Sequence, residues 1–551
     1  MRPHSQVKRR LPAVRHGHAR SGSPLVIGLD AGTSAVKAVA WTPSLEPVAE
    51  GRASLRIHTP APGFAEQEAG DWWHAACRAL RQCMAQIDPR RVRVIGIAVQ
   101  RETFVLIDKS GRPLSPAILW YDSRAIPFLP ALRKRLGLAR YHRHTGKQID
   151  ATSAIGKLAW LREHEPRALN SAARFADVLA YLSLRLTGKL ATTAAGADTT
   201  GLIRLQTGRW HTEHIRAAGL RTGMMPRLVP AGGVLGVVSA RAAKATGLPA
   251  GTPVVAGGGD GHCFSLGAGL MRPRTATLTL GTSAVLGLAV SRPILGREFR
   301  TLIACVPGEY LLESVIQCGS ATLEWYHAAF LGRTTPYRRS PLEQEAATIP
   351  PGSDGLLVLP YWRGARVPHN DPSARGAVVG WTDRHTAAHM HRAIMEGIAM
   401  ELAGLLDLIQ RRRRLQVDRI VLGGGGALSD LWCQILADVL GTVCLRPSTV
   451  ECASRGAAML AMRSVRSCNG TDGRPAFAEA LRRGKRGRRP SRRSGQPDVL
   501  AERKGSSASP RLPGEAEFRP TAAHARVYRE LRTVHRLLYP ATRDISKRLQ
   551  R

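Results

Sequence analysis

Cysteine is scarce and scattered in this chain. Its 551 residues include nine, an odd number, with no Cys-x-x-Cys pair. That excludes a disulfide scaffold and the common zinc spacings, and it fits a reducing compartment. No run of about 18 uncharged apolar residues occurs, so no membrane span is expected. Residues 1–23 are basic and lack the apolar stretch of a secretory signal. The site is therefore expected to work in the cytoplasm, and the sequon Asn469-Gly470-Thr471 is read as chance. Acids are few: 41 Asp and Glu face 80 Lys and Arg, a net charge of +39. Residues 1–20 carry six basic residues and no acid, and residues 482–504 carry ten against Asp498 and Glu502. Aromatics make up only 5% of the chain and are sparse in both segments, so they lack the stacking half of a single-strand binding surface. Arg supplies 69 of the 80 basic residues, a bias spread along the chain rather than a patch. Specific nucleic-acid binding is thus not expected.

What is present is a duplicated element. Residues 25–41 read as strand, polar turn, strand, with Asp30, Gly32, Thr33 and Ser34 in the turn. Residues 275–290 have the same form, and both turns contain GTSAV. A chain this long, carrying such a repeat, is expected to fold as two similar α/β domains. Further strands are expected at Arg91–Ala98, Thr252–Ala256 and Arg419–Leu422, and helices at 71–87, 387–410, 431–440 and 521–538, the last ending at Tyr539-Pro540. From about Cys468 to Pro513 the periodicity fails, and a mostly disordered insertion with a short helical piece near 476–481 is expected.

The strand ends carry the chemistry. The first turn offers backbone N–H groups, the hydroxyls of Thr33 and Ser34 and the Asp30 carboxylate, a set suited to a polyphosphate and its metal. Lys37 reads either as a phosphate contact or as a surface lysine. Gly281, Thr282 and Ser283 form a second cradle that lacks an acid. No Walker pattern occupies either turn, which disfavours a P-loop kinase. The run Gly423 to Gly426 with Ser429 reads either as a site for a flat ring or as a plain tight turn. Asp260, after Gly257-Gly258-Gly259, reads as a proton acceptor or as a helix cap. Arg101 and Glu102 suit a polyol or a surface ion pair.

Taken together these residues resemble the FGGY family of carbohydrate kinases. The likeness runs from about Pro24 to Met462 and resumes near Phe518. Gly380, His389-Met390 and Ala393-Ile394-Met395-Glu396 follow the family's second signature, with Trp381 in an aliphatic place, and Lys157-Leu158-Ala159-Trp160-Leu161 is similar to part of the first. Phe64-Ala65-Glu66-Gln67 before Asp71-Trp72-Trp73 is also similar. The resemblance implies two actin-like (ribonuclease H-like) domains around a cleft. Together with the composition and pattern read above, it divides the chain into a basic disordered extension (1–23), a substrate- and phosphate-binding domain (24–250), an ATP-binding domain (251–466), a basic, mostly disordered insertion (467–513) and a C-terminal helix (514–551). It implies ATP and Mg2+, with Asp30 on the metal. Gly32, Thr33, Ser34, Lys37, Gly281 and Thr282 would lie at the phosphates, and Gly425, Gly426 and Ser429 at the adenosine. Asp260 would be the catalytic base, and Arg101, Glu102 and Trp120 substrate contacts. The segment Ala117 to Asp122 is similar to xylulokinases, whereas Arg101-Glu102 is similar to glycerol kinase and departs from the Met-His common in xylulokinases. Gly261 stands where relatives often place Asn or Gln. The expected substrate is a pentulose, D-xylulose first, with glycerol or another polyol second. A catalytically inactive sugar sensor or a nucleic-acid-associated ATP-binding protein is the alternative of another class. The expected partner is a small sugar or polyol, and a homodimer is left open.

Overall fold

The computed structural model describes residues 22–269, 274–333, 337–467 and 515–549. The basic extension, but for its last two residues, and the insertion expected at 467–513, but for residue 467, lie outside the described residues.

Two mixed sheets carry the molecule. The first contains β1 (Leu25–Ala31), β2 (Ala35–Trp41), β3 (Pro47–Ser54), β4 (Val92–Val99), β5 (Val234–Val237) and β6 (Pro253–Gly259), in the order β5-β6-β4-β1-β2-β3. The second contains β7 (Thr275–Leu280), β8 (Ala284–Val290), β9 (Arg300–Ile303), β10 (Tyr310–Ile316), β11 (Arg419–Gly423), β12 (Val443–Arg446) and β13 (Ala516–Phe518), in the order β9-β10-β8-β7-β11-β12-β13. The duplication extends well beyond the two hairpins. In each sheet the first strand pairs antiparallel with the second and parallel with a later one: β1 with β2 and β4, β7 with β8 and β11. The next strand outward is parallel again (β6, β12), and each sheet then continues with an antiparallel strand (β5, β13). Central strands buried on both faces explain the apolar runs that flank each polar turn. The hairpin of β5 and β6 spans residue 250, and the second sheet begins at Thr275.

The four expected helices are α1 (Ala69–Met84), α3 (Ala387–Arg413), α4 (Asp430–Leu440) and α6 (Ala522–Arg548); two more, α2 (Asp260–Gly267), which begins at the candidate base, and α5 (Cys452–Ser467), were not foreseen. One expectation fails. Proline lacks an N–H and normally ends a helix, yet α6 runs through Pro540 to Arg548. Tertiary contacts hold it on both sides of the proline: Tyr539 donates to Asp371 Oδ2 (2.9 Å), and Ser546 Oγ accepts from the Arg375 N–H (3.3 Å). The Thr542 hydroxyl donates back to the Leu538 carbonyl (2.8 Å).

Helix α5 belongs to the second half in sequence but packs on the first sheet. Glycine makes that approach possible. A Cβ on Gly28 of β1 would lie 2.1 Å from the Ser454 carbonyl oxygen, and one on Gly456 would lie 1.9 Å from that of Cys263 in α2. The strand ends bearing Asp30 and Asp260 are therefore wedged against one helix. No helix among the described residues is long and apolar enough to cross a membrane.

Candidate active site

Asp30 closes β1, directly across the hairpin from Lys37. Its Oδ1 is buried and makes no hydrogen bond. Burial pushes its pKa up to about 7; Lys37 opposes that shift, and the nearby Asp260 adds to it. A buried carboxylate oxygen without a partner, next to a second carboxylate, suits a hard divalent cation. Lys37 itself makes a two-pronged pair with Glu451, at 2.8 and 2.9 Å. Of the turn residues, Gly32 bonds its N–H to the Ala35 carbonyl (3.1 Å), the Ser34 carbonyl accepts from Leu55, and the Thr33 hydroxyl accepts from the Trp120 indole (3.1 Å). Trp120 thus braces the turn. Lys157 fixes Trp120 in turn: its fully buried ammonium donates to the carbonyls of Leu119, Trp120 and Thr152 at 2.6–3.0 Å.

Asp260 is the first residue of α2, with Gly259 as the cap, so the capping reading gives way to a carboxylate at a helix N-terminus. Its Oδ1 accepts from the Gly261 N–H (2.7 Å) and lies 3.6 Å from Arg101 Nε. Burial holds the carboxyl above the ordinary range, with Arg101 pulling against it, although 41% of the side chain faces solvent. Arg101 and Glu102 follow β4. Glu102 adopts a left-handed backbone (φ 62°), which turns the chain and buries its side chain to 4% exposure. The surface ion-pair reading is thereby excluded, because the partners come from the other half of the chain. Arg101 Nη2 donates to Glu313 Oε2 (2.7 Å), and Arg300 pairs with Glu102.

Glu313 and Arg300 escaped sequence reasoning, as did the Asp150–Arg366 pair (2.7 Å) beside them. Glu313 did leave a signal: it is a lone acid inside the apolar run of β10. Its partners could not be read, because they lie across a fold of the chain. With Lys147, Thr152 and Thr199 these groups line a polar cavity of about 30 Å³ between the two halves.

A second, separate cavity opens past the Gly-rich turn, at Leu428 and Ser429. Gly424 has φ 78°, and a Cβ there would sit 2.6 Å from the Leu280 carbonyl, so the turn hugs the end of β7. Gly426 is likewise pressed against Leu280 and Trp432, while Gly425 stays open, 3.8 Å from an Arg338 nitrogen. Ser429 caps α4, accepting from the Trp432 N–H (2.9 Å) and bonding to Glu343. Gly281 and Thr282 form the turn after β7, held where Gly281 donates to the Ser283 carbonyl (3.0 Å). The cavity beside Ser429 measures about 570 Å³ and is lined by Arg338, Leu428, Asp430, Arg446 and Val450 among others. That volume falls within the about 300–1,000 Å³ of small-molecule sites. The two cavities share no lining residue.

Outside the cleft, His144, His211 and His214 bring three ring nitrogens within 4.8 Å of one another. The His211 and His214 rings stack at 3.8 Å with planes 15° apart. A metal lies in the plane of each ligating ring, and stacked planes deny one ion that position. The group is a packed imidazole stack.

Comparison with known proteins agrees with this layout. The FGGY carbohydrate-kinase N-terminal domain matches residues 25–267, and the C-terminal domain of the same family matches residues 276–465. The xylulose kinase of Escherichia coli K12 is 32% identical over 421 residues, 76% of this chain and 85% of that one. The glycerol kinase of Trichlorobacter lovleyi is 31% identical over 451 residues, 79% and 89%. The crystal structure of xylulose kinase from Rhodospirillum rubrum superposes with a TM-score of 0.76 at 25% identity, covering 95% of this chain and 99% of that one. Two matched sheets, two cavities and a match across both domains lead to one assignment: the chain belongs to the FGGY family of carbohydrate kinases, enzymes that transfer a phosphoryl group from ATP to a sugar or related polyol.

Proposed function

We propose that this enzyme phosphorylates a primary hydroxyl of a pentulose, D-xylulose first, with Asp260 as the general base. The observation that carries the mechanism is Asp260 itself. It is a carboxylate at a helix N-terminus, held above the ordinary pKa range, part-exposed to the cleft and 3.6 Å from Arg101. In this reading the first half of the chain binds the sugar and the second binds ATP, at the cavity beside Gly425 and Ser429.

Asp260 accepts the proton as the sugar oxygen attacks the γ-phosphorus. The bond from that phosphorus to the β,γ-bridging oxygen breaks, and ADP departs. Little covalent assistance is needed; alignment and charge neutralisation supply most of the acceleration. Asp30 would hold Mg2+, which when bound shares the phosphate charge. The hairpin turns at Gly32–Ser34 and Gly281–Ser283 would orient the phosphates from either side.

The choice of pentulose leans on the xylulose kinase relatives and on the Trp120 segment that Lys157 pins. Glycerol is the second reading, favoured by one observation: Glu102 is buried, the Arg101 side chain is 9% exposed, and both pair across the cleft rather than standing on the surface. An ADP-release assay with D-xylulose, D-ribulose, gluconate, glycerol and erythritol tests this. The highest kcat/KM is expected on D-xylulose. Turnover on none of these, with ATP still bound, would overturn the reading. Asp260→Asn should cost about three orders of magnitude in kcat while ATP binding persists; an unchanged rate would remove Asp260 from the mechanism.

A further inference from the structure

Within the cleft, one carboxylate stands out by its number of partners. Glu313, 1% exposed, projects from β10 of the second sheet. It accepts from Arg101 Nη2 (2.7 Å), and its other oxygen accepts from Arg300 Nε (2.9 Å) and Nη2 (2.7 Å). Arg300 is its cross-strand neighbour on β9 and reaches on to Glu102. Arg101 comes from the other half of the chain and lies between Glu313 and Asp260. We infer that Glu313 is a positioning residue: it holds the Arg101 guanidinium back from Asp260 and ties that setting to the approach of the two halves.

The argument is a partition of one cation between two anions. A buried guanidinium needs a counter-charge. With Glu313 present, Arg101 makes its short bond there and only a loose 3.6 Å contact with Asp260. Burial alone would raise the pKa of Glu313; Arg101 and Arg300 outweigh it and hold the group well below the ordinary carboxylate range, so it remains an anion. Remove that charge, and Asp260 is the nearest remaining partner for Arg101. A base locked in a short bidentate pair is a poor proton acceptor. The space at Gly261 permits the arrangement. A Cβ there would lie 3.3 Å from Arg101 Nη2 and 3.4 Å from Glu313 Oε2, so a larger residue would press on the pair.

This inference rests on the proposed role of Asp260, and the experiment separates the two. In the full-length protein, kcat and KM are measured on the best substrate of the panel for wild type, Glu313→Gln, Arg101→Gln and the double variant, with the ATP dissociation constant and the melting midpoint alongside. Glu313→Gln is expected to lower kcat by about 10- to 100-fold, the scale of a misplaced catalytic group, with ATP affinity within about twofold. Because Glu313 acts through Arg101, the double variant should be no slower than Arg101→Gln alone. Should Glu313→Gln fail to fold, Glu313→Asp, which keeps the charge one methylene short, takes its place in the same cycle with a smaller expected loss. A kcat within threefold of wild type, or losses that multiply in the double variant, would overturn the inference. Wild type inactive on every substrate, or Asp260→Asn fully active, would instead overturn the proposed chemistry.

Discussion

Lys37 faces Asp30 across the hairpin, where a phosphate-binding lysine would be useful, but its ammonium is already held by Glu451 next to α5. The two side chains are 28% and 18% exposed, so solvent screens the pair, and a contribution of about 1 kcal/mol or less is expected. Its role is then to link the hairpin to α5. Lys37→Met is accordingly expected to change the KM for ATP by less than about threefold and stability by about 1 kcal/mol at most. A tenfold rise in KM would place the ammonium on the phosphates instead. At this scale, much of the site was legible. Asp30, Asp260, Arg101 and Glu102 announce themselves as polar residues at the ends of apolar strands, where side chains converge on a cleft. Glu313 and Arg300 do not, because their meaning is a pairing across 212 and 198 residues that only the topology brings about. Ser429 reads in the sequence only as part of a flat-ring site or a plain tight turn, and the fold adds a use not foreseen there, as the cap of α4.

Among the elements, the paired hairpins were readable because each polar turn interrupts a strand pair buried on both faces. The end of α6 was misread because local rules give Pro540 a veto that the Tyr539–Asp371 and Thr542–Leu538 contacts override. The imidazole stack shows a second element-level dependence. His144 comes from the helix Leu138–Thr145, while His211 and His214 bracket the start of Thr212–Ala217. His214 bonds to the Gly201 carbonyl (2.9 Å), and His211 lies 3.0 Å from His144. Burial first, then the neighbouring imidazoles, push His211 down to about 4, and burial also lowers His144 and His214. Arg204, Arg140 and Arg143 face the group and oppose a positive charge, while Glu213 favours it. A histidine depressed in the folded state stabilises fully above its unfolded pKa of about 6.5 and loses that contribution as pH falls toward 4. The melting midpoint of wild type should therefore drop between about pH 6.5 and 4 more steeply than that of His211→Asn, which has one fewer proton to take up. Parallel curves over that range would show that the stack does not govern acid stability.

The whole molecule is held together across its cleft by buried charge. Arg101–Glu313 and Arg300–Glu102 join the two halves directly, and the Lys147–Asp198 pair of the first half reaches the second through the Thr301 carbonyl and the Ile303 N–H. Between them lies the cavity of about 30 Å³ lined by Glu102, Arg300 and Glu313. That is well below the about 300–1,000 Å³ of small-molecule sites. If the sugar binds between the halves, as proposed, they are expected to part for its entry and then return. Closure of this kind also has a chemical use, since water competes with the sugar for the phosphoryl group. Buried pairs are weakly screened by salt, so ionic strength alone should not open the cleft. Removing a pair should. Small-angle scattering of the full chain without sugar is expected to give a larger radius of gyration than with D-xylulose and ADP, and Arg300→Met, which frees Glu102 and leaves Glu313 with Arg101 alone, should widen that gap. The same variant should hydrolyse ATP faster in the absence of sugar, because a looser cleft lets water reach the γ-phosphate. Identical curves with and without ligand, in wild type and variant alike, would mean that the halves do not move and that the sugar enters by another route.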